Sequence, residues 1–238
     1  MAFAPSTVLL AALTFCSAAF AIFASLTGQA WLLWISKPLT TVLILAYAWP
    51  RGRGEAQQAR ARPWVLGGLL ASLAGDVALM WPGEGFFIAG LLSFLLAHLA
   101  YLRAFTRVRR LAAWPPAFVV YALLAGAVLS RLWPGVPADL RLPVIAYVLC
   151  LAAMGAQSAV LWRGGAAHGR RLALGGMLFV LSDALLATNK FAGPLSAAAL
   201  WVLASYWAAQ WCIAGWLLPA DAPVEDQPAS PVLSRSLR

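Results

Sequence analysis

Two aspartates lie inside apolar runs, Asp76 in LAGDVALM (73–80) and Asp183 in FVLSDALLATNKF (179–191). Lys37 interrupts WISKPLTTVL (34–43), and His98 with Tyr101 and Tyr206 with Gln210 punctuate two further apolar stretches. Asn189 and Lys190 close the run that holds Asp183. A charge at the centre of a lone spanning helix costs about 2.5–3.5 kcal/mol on insertion scales, so such residues are functional candidates by default. Two carboxyls facing one deep lysine do not balance, and charge counting leaves one carboxyl protonated at neutral pH. A neutral carboxylic acid beside an ionised one divides the roles of general acid and general base. Each residue also has a plain structural use. Lys37 could only neutralise an aspartate, His98 and the tyrosines could be satisfied packing residues, and Lys190 could snorkel to the surface. Several such groups exceed what one structural ion pair needs.

The elements that position these residues follow from composition. The 238 residues are 63% hydrophobic and 11% charged, with a mean hydropathy of +0.81, which reads as an all-α polytopic membrane protein. Eight apolar segments approach spanning length, at 7–27, 29–49, 64–82, 86–105, 114–133, 141–162, 172–190 and 195–218. The first is expected to be a retained helix, because no basic stretch precedes it. Residues 1–219 form an eight-helix transmembrane domain in this reading, and 220–238 a polar, disordered tail. At about 1.5 Å rise per residue, Lys37, Asp76 and Asp183 fall at similar depth, very roughly 10 Å below one boundary, with His98 and Tyr206 deeper. His98, Tyr101 and Phe105 share one helix face, as do Tyr206 and Gln210.

Arginines concentrate on one side: Arg51, Arg53, Arg60 and Arg62; then Arg103, Arg107, Arg109 and Arg110; then Arg163, Arg170 and Arg171. The loops of the other side carry only Arg131 and Arg141. The positive-inside rule makes the basic side cytoplasmic and places both termini there. GGLLASLAGDVALM (67–80) echoes GGMLFVLSDALLAT (175–188), and each precedes a helix with inward polar residues, which points to a parallel 4+4 repeat. The net charge of +9 reflects this loop asymmetry. The short basic loops lack interleaved aromatics, which argues against nucleic-acid binding, and no protein partner can be named. Cys16, Cys150 and Cys212 lack metal or redox spacing and read as small buried hydrophobes. No metal site is expected: one of the two histidines is in a loop, and only two aspartates and His98 could contribute. The tryptophans Trp31, Trp34, Trp81, Trp114 and Trp133 read as an interfacial belt.

KPLTT (37–41), GDVALM (75–80), GLLSFLLAHLAY (90–101), SDALLATNKF (182–191) and YWAAQW (206–211) resemble the YhhN-type lysoplasmalogenase family of eight-span membrane proteins. The resemblance extends to about residue 218. It implies hydrolysis of the vinyl-ether bond of lysoplasmalogens, to a fatty aldehyde and glycerophospho-ethanolamine or -choline. The substrate would be an ether lysolipid met among membrane lipids, in a bacterial cytoplasmic membrane. Vinyl-ether hydrolysis needs an acid to protonate the alkene carbon, a stabiliser of the oxocarbenium ion and a base for water, and no cofactor. Asp76 and Asp183 are the candidate pair, in either order, by analogy with paired-carboxylate glycoside hydrolysis. Lys37 would keep one carboxylate ionised. His98, Tyr101, Tyr206 and Gln210, with Asn189 and Lys190 nearer the surface, would orient water or the head group. The rival readings are a transporter or lipid-handling protein with a midplane polar site, and a membrane protein using buried polar pairs as helix glue. Turnover of a vinyl-ether lipid in detergent separates enzyme from carrier.

Overall fold

The computed structural model describes residues 6–219; the expected polar tail at 220–238 lies outside them. Among the described residues there are eight α-helices and no strands: α1 (Thr7–Thr27), α2 (Ala30–Ala48), α3 (Ala56–Ala78), α4 (Glu84–Val108), α5 (Pro115–Leu132), α6 (Arg141–Arg163), α7 (Gly169–Phe191) and α8 (Ala198–Ala214). Two short 3-10 turns, Trp133–Gly135 and Ala138–Leu140, link α5 to α6. Six of the helices are long and apolar enough to cross a membrane. The remaining two show where pattern reading slipped. The expected segment 64–82 is α3, which starts eight residues earlier and ends at Ala78. Pro63 reads as a breaker, yet the helix runs through it, and its polar first turns carry Arg60 and Arg62. The segment expected over 195–218 is helical only over Ala198–Ala214.

The early stop of α8 has a local cause. The Gly52 amide donates to the Leu218 carbonyl at 2.8 Å, and the Gln58 side chain both donates to Trp216 O (3.2 Å) and accepts from Leu218 N (2.6 Å). Arg51 donates to Leu217 O at 3.2 Å. These bonds replace the helical partners that the last turn lacks, and they clamp the basic end of the bundle.

Seven helices close a ring. α1 packs on α2, α2 on α3, α3 on α4, α4 on α6, α6 on α7, α7 on α8, and α8 returns to α1 and α2. α5 stands outside the ring, packed on α6, with only Ala117 and Leu132 of its residues buried. Large apolar side chains such as Phe15, Leu123 and Leu149 face outward, which suits a hydrocarbon solvent and would be a liability in water. Cys16 is exposed on this outer surface rather than buried, whereas Cys150 is buried.

Close approach in the ring depends on small residues and polar ties, as expected of helices packed in lipid. Ser17 donates to Ser36 O at 3.0 Å, and Thr40 to Ser17 Oγ at 2.9 Å, joining α1 to α2. The α3–α4 pair is tighter. A Cβ on Gly75 would sit 2.7 Å from the Phe94 ring, and one on Gly68 would meet the Tyr101 ring. Glycine at both positions lets α4 rest its aromatic side chains on the α3 backbone, which fixes the height of Tyr101 and Phe94 against Asp76.

Candidate active site

The ring brings eight of the nine sequence-predicted residues into two polar clusters and a mouth, and leaves Asn189 to the loop. The first cluster surrounds Asp76, which is 2% exposed. Its Oδ2 accepts from Thr41 Oγ1 at 2.7 Å and from Tyr206 Oη at 2.8 Å. Lys37 Nζ lies 3.9 Å from Oδ1 and donates to the Asp76 carbonyl at 3.1 Å. Trp207 Nε1 donates to Thr41 Oγ1 at 3.3 Å. A chain of donors leads to the carboxylate: Tyr101 Oη donates to Gln210 Oε1 (2.6 Å), Gln210 Nε2 to Tyr206 Oη (3.2 Å), and Tyr206 to Asp76. Two hydroxyl donors and a nearby ammonium satisfy the oxygens of this carboxyl.

The second cluster surrounds Asp183, which is also buried. Tyr147 Oη donates to its Oδ2 at 2.6 Å. His98 Nε2 lies 3.5 Å from the same oxygen, too far for a good hydrogen bond, and neither imidazole nitrogen has a hydrogen-bond partner among the described residues. A buried polar group left unpaired costs about 1–3 kcal/mol, so this histidine is held by packing and not by bonding. Tyr147 and Phe179 meet its ring edge-on, at centroid distances of 5.1 and 4.7 Å.

One aromatic layer separates the clusters. Phe179 touches His98 on one side and Tyr206 on the other, the latter at 5.6 Å, and Phe94 meets Tyr206 edge-on at 5.7 Å. Beyond this layer is a cavity of about 110 Å³ whose wall is formed by α4, α5, α6 and α7, with Leu79 just past the end of α3. Phe94, Leu124, Val128, Leu151 and Val180 give it an apolar surface, and its ionisable or hydroxyl-bearing side chains are Asp183, Tyr147 and Lys190. Asp76 is not in the wall. The two aspartates therefore differ in access: Asp183 faces the cavity, and Asp76 is enclosed behind Phe94.

Lys190 is exposed at the mouth, its ammonium 4.8 Å from the centroid of the Phe87 ring. Asn189 Oδ1 accepts from Leu195 N at 2.9 Å and ties down the α7–α8 loop. Thr41 and Tyr147 were not singled out from sequence. Thr41 falls within KPLTT, one turn after Lys37, where the i, i+4 spacing could have raised it. Tyr147 is the lone tyrosine of a largely apolar segment, and its pairing with Asp183 is purely tertiary. No three His, Cys, Asp or Glu side chains converge among the described residues as a metal would require.

An apolar helical ring with two buried carboxyls is the architecture of an integral membrane protein with a polar site among its helices. The chain belongs to the YhhN family, whose pattern matches residues 32–217. It is 38% identical over 161 residues to human lysoplasmalogenase TMEM86B, covering 67% of this chain and 66% of that protein. It is 31% identical over 162 residues to human lysoplasmalogenase TMEM86A, covering 66% of each. A Mycobacterium tuberculosis lysoplasmalogenase is 32% identical over 219 residues, 87% of this chain and 77% of that protein. The chain thus spans about two thirds of the length of the human relatives it matches. No solved structure matches it.

Proposed function

We propose that this protein is a lysoplasmalogenase, hydrolysing the vinyl-ether bond of an alkenyl lysophospholipid. The observation that carries the reading is a single carboxyl, Asp183, in the wall of an apolar cavity, with a second, fully partnered carboxylate one aromatic layer behind. Membership of the YhhN family and relatives named lysoplasmalogenase support it.

Asp183 is the acid. Tyr147 occupies one carboxyl oxygen, which leaves the other free to carry a proton toward the alkene. Transfer of that proton to the carbon β to the ether oxygen produces an oxocarbenium ion. The resulting Asp183 carboxylate, in a dry apolar wall, stabilises that cation more strongly than water would. Water adds to the carbon bearing the ether oxygen. Its proton returns to Asp183, and the hemiacetal breaks, its hydroxyl proton passing by way of Asp183 to the departing oxygen, into a fatty aldehyde and the free glycerol hydroxyl. One water is consumed and the acid is regenerated. Asp76, held ionised by Lys37, Thr41 and Tyr206, is the second carboxylate of the pair. Its charge acts on the developing cation across Phe94 and Phe179.

The same reading takes all eight helices as membrane-embedded, with the polar first turns of α3 at the surface and α8 short because its inner end is clamped. Residues 1–219 are then one transmembrane domain. The basic loops are cytoplasmic, so both termini face that side of a bacterial cytoplasmic membrane. The α3–α4 and α7–α8 hairpins are the corresponding parts of a parallel 4+4 repeat. In support, Gly68 and Gly175, 107 residues apart like Asp76 and Asp183, both lie under the helix that follows.

The test is aldehyde release from a lysoplasmenylethanolamine by purified protein in detergent, beside Asp183→Asn. Release by the parent and its loss in a folded variant are the expected results. Absence of release by folded parent protein between pH 5 and 8, a range of about three units around neutrality chosen for carboxyl and imidazole chemistry, removes the reading.

A further inference from the structure

The cavity is placed asymmetrically. Its α7 wall runs from Val180 through Asp183 to Lys190 and Phe191, the half of α7 remote from the basic loops. The α5 wall runs from Leu124 to Leu132 and the α6 wall from Val144 to Ala152, again the halves nearest the loops 79–83, 133–140 and 192–197. The cavity therefore belongs to the leaflet opposite the arginine-rich loops.

Its boundary also has one weak side. α4 and α5 both line the cavity, yet among the described residues their backbones make no contact with each other. At the outer end the gap is closed by side chains, where Phe87 and Ile88 of α4 pack with Leu132 of α5 and Val136. Phe87 meets Phe191 edge-on at 6.1 Å. Below that seal the residues that α4 and α5 give to the cavity wall, Leu91, Phe94, Leu124, Ala125 and Val128, are all apolar. Above it, Lys190 places a cation over Phe87.

Spacing ties the cation to the acid. Lys190 is seven residues after Asp183, on the same face two turns on, a rise of about 10.5 Å. In an alkenyl lysophospholipid the phosphorus is six bonds from the carbon bearing the ether oxygen and seven from the carbon that takes the proton, about 8–9 Å when extended at ordinary bond lengths of about 1.5 Å. An ammonium on a flexible stem covers the remainder. A vinyl ether at Asp183 thus puts the phosphate at Lys190, and the hydrocarbon chain, too long for about 110 Å³ of cavity, must leave through the gap between α4 and α5.

Building on the lysoplasmalogenase reading, we propose that the single-chain lipid enters laterally between α4 and α5 from the leaflet opposite the basic loops, with Lys190 binding its phosphate. Lys190 is a substrate-positioning residue, and the polar product leaves on the side away from the arginines.

The experiment uses the full chain in sealed vesicles. Orientation is scored by an impermeant maleimide on Arg53→Cys in a Cys16→Ser background, which marks the basic side. Lysoplasmenylethanolamine is added outside, below its micellar concentration, and aldehyde is measured. Release is expected to be at least about tenfold faster when the basic side faces the lumen, since a charged head group crosses the hydrocarbon core slowly. Equal rates, or faster release when the basic side faces the substrate, overturn the proposal. A sample inactive in detergent as well points instead to failure of the lysoplasmalogenase reading.

Two variants read the route itself. Lys190→Glu is expected to raise KM about tenfold or more with kcat largely kept, and Lys190→Arg to restore KM, because charge-assisted bonds to phosphate are strong. A fall in kcat at unchanged KM overturns the phosphate role. Ala125→Trp fills the α5 side of the gap. It is expected to lose activity on a long-chain lysolipid at least about fivefold more than on a short-chain one, a difference of about 1 kcal/mol. Equal losses on both overturn lateral entry.

Discussion

Two buried carboxyls in one helical ring have opposite surroundings. Asp76 on α3 receives two hydroxyl donors and a lysine from α2 and α8. Asp183 on α7 receives one phenol, faces an apolar cavity and has an imidazole nearby that bonds to nothing among the described residues. Full satisfaction makes a charge stable and inert. Partial satisfaction beside a cavity makes a carboxyl available to a reactant. The difference teaches that position in an apolar helix marks a residue as important, while its partners decide what it does.

The largest expected effect separates the two directly. Asp183→Asn removes the proposed proton donor and should lower kcat by about 10²–10⁴-fold, with the thermal midpoint in detergent little changed because Asn can still accept from Tyr147. Aldehyde release and circular dichroism of the same sample check this. If Asp76→Asn loses more turnover than Asp183→Asn while staying folded, the assignment of the acid is reversed.

The next effect is on stability. Lys37→Met leaves Asp76 without its cation and should destabilise the bundle by about 3–5 kcal/mol, the cost of breaking one side of a buried pair. Lys37→Met with Asp76→Leu should be less destabilised than Lys37→Met alone, since no charge is then stranded. Thermal unfolding in detergent of the single and double variants gives the answer. A double variant no better than the single shows that the hydroxyls, and not Lys37, hold the carboxylate.

Tyr147→Phe comes third. It removes the only hydroxyl donor to Asp183 among the described residues and should lower kcat about tenfold, or about 1.4 kcal/mol in the barrier, with KM held. An unchanged kcat would mean that Tyr147 packs against His98 and does not orient the acid.

The sequence carried the helical architecture and the polar residues because a charge in an apolar run needs no tertiary knowledge to be noticed. Hydropathy located all eight helices, and most ends fall within about three residues. It misplaced α3 because Pro63 and the arginines before it look like loop, while the helix continues past the apolar stretch. It overran α8 because Trp216 and Leu217 are apolar, although their backbone is held by Arg51 and Gln58 more than 150 residues away in the chain. Within the site, similar depth grouped Lys37, Asp76 and Asp183. Depth alone has no azimuth, so it could not show that Phe94 and Phe179 divide them or that Tyr147 serves Asp183. Asn189 looked like a ligand-facing polar residue, and only the loop conformation reveals that it bonds to Leu195 N.

The smallest effect tests the far end of the satisfied cluster. Tyr101→Phe removes the first donor of the chain Tyr101–Gln210–Tyr206–Asp76 and keeps the ring that rests on Gly68. Packing is unaltered, and Gln210 Oε1 loses its partner, so stability should fall by about 1–3 kcal/mol. Asp76 retains Thr41, Tyr206 and Lys37, so kcat should stay within about threefold, or about 0.6 kcal/mol of the barrier. Were the chain a route for the reacting proton, Tyr101→Phe would reduce kcat as severely as Tyr147→Phe. The ratio of those two losses, measured on one substrate in one detergent, decides whether the Asp76 cluster is a fixed charge with its supports or a second proton-transfer site.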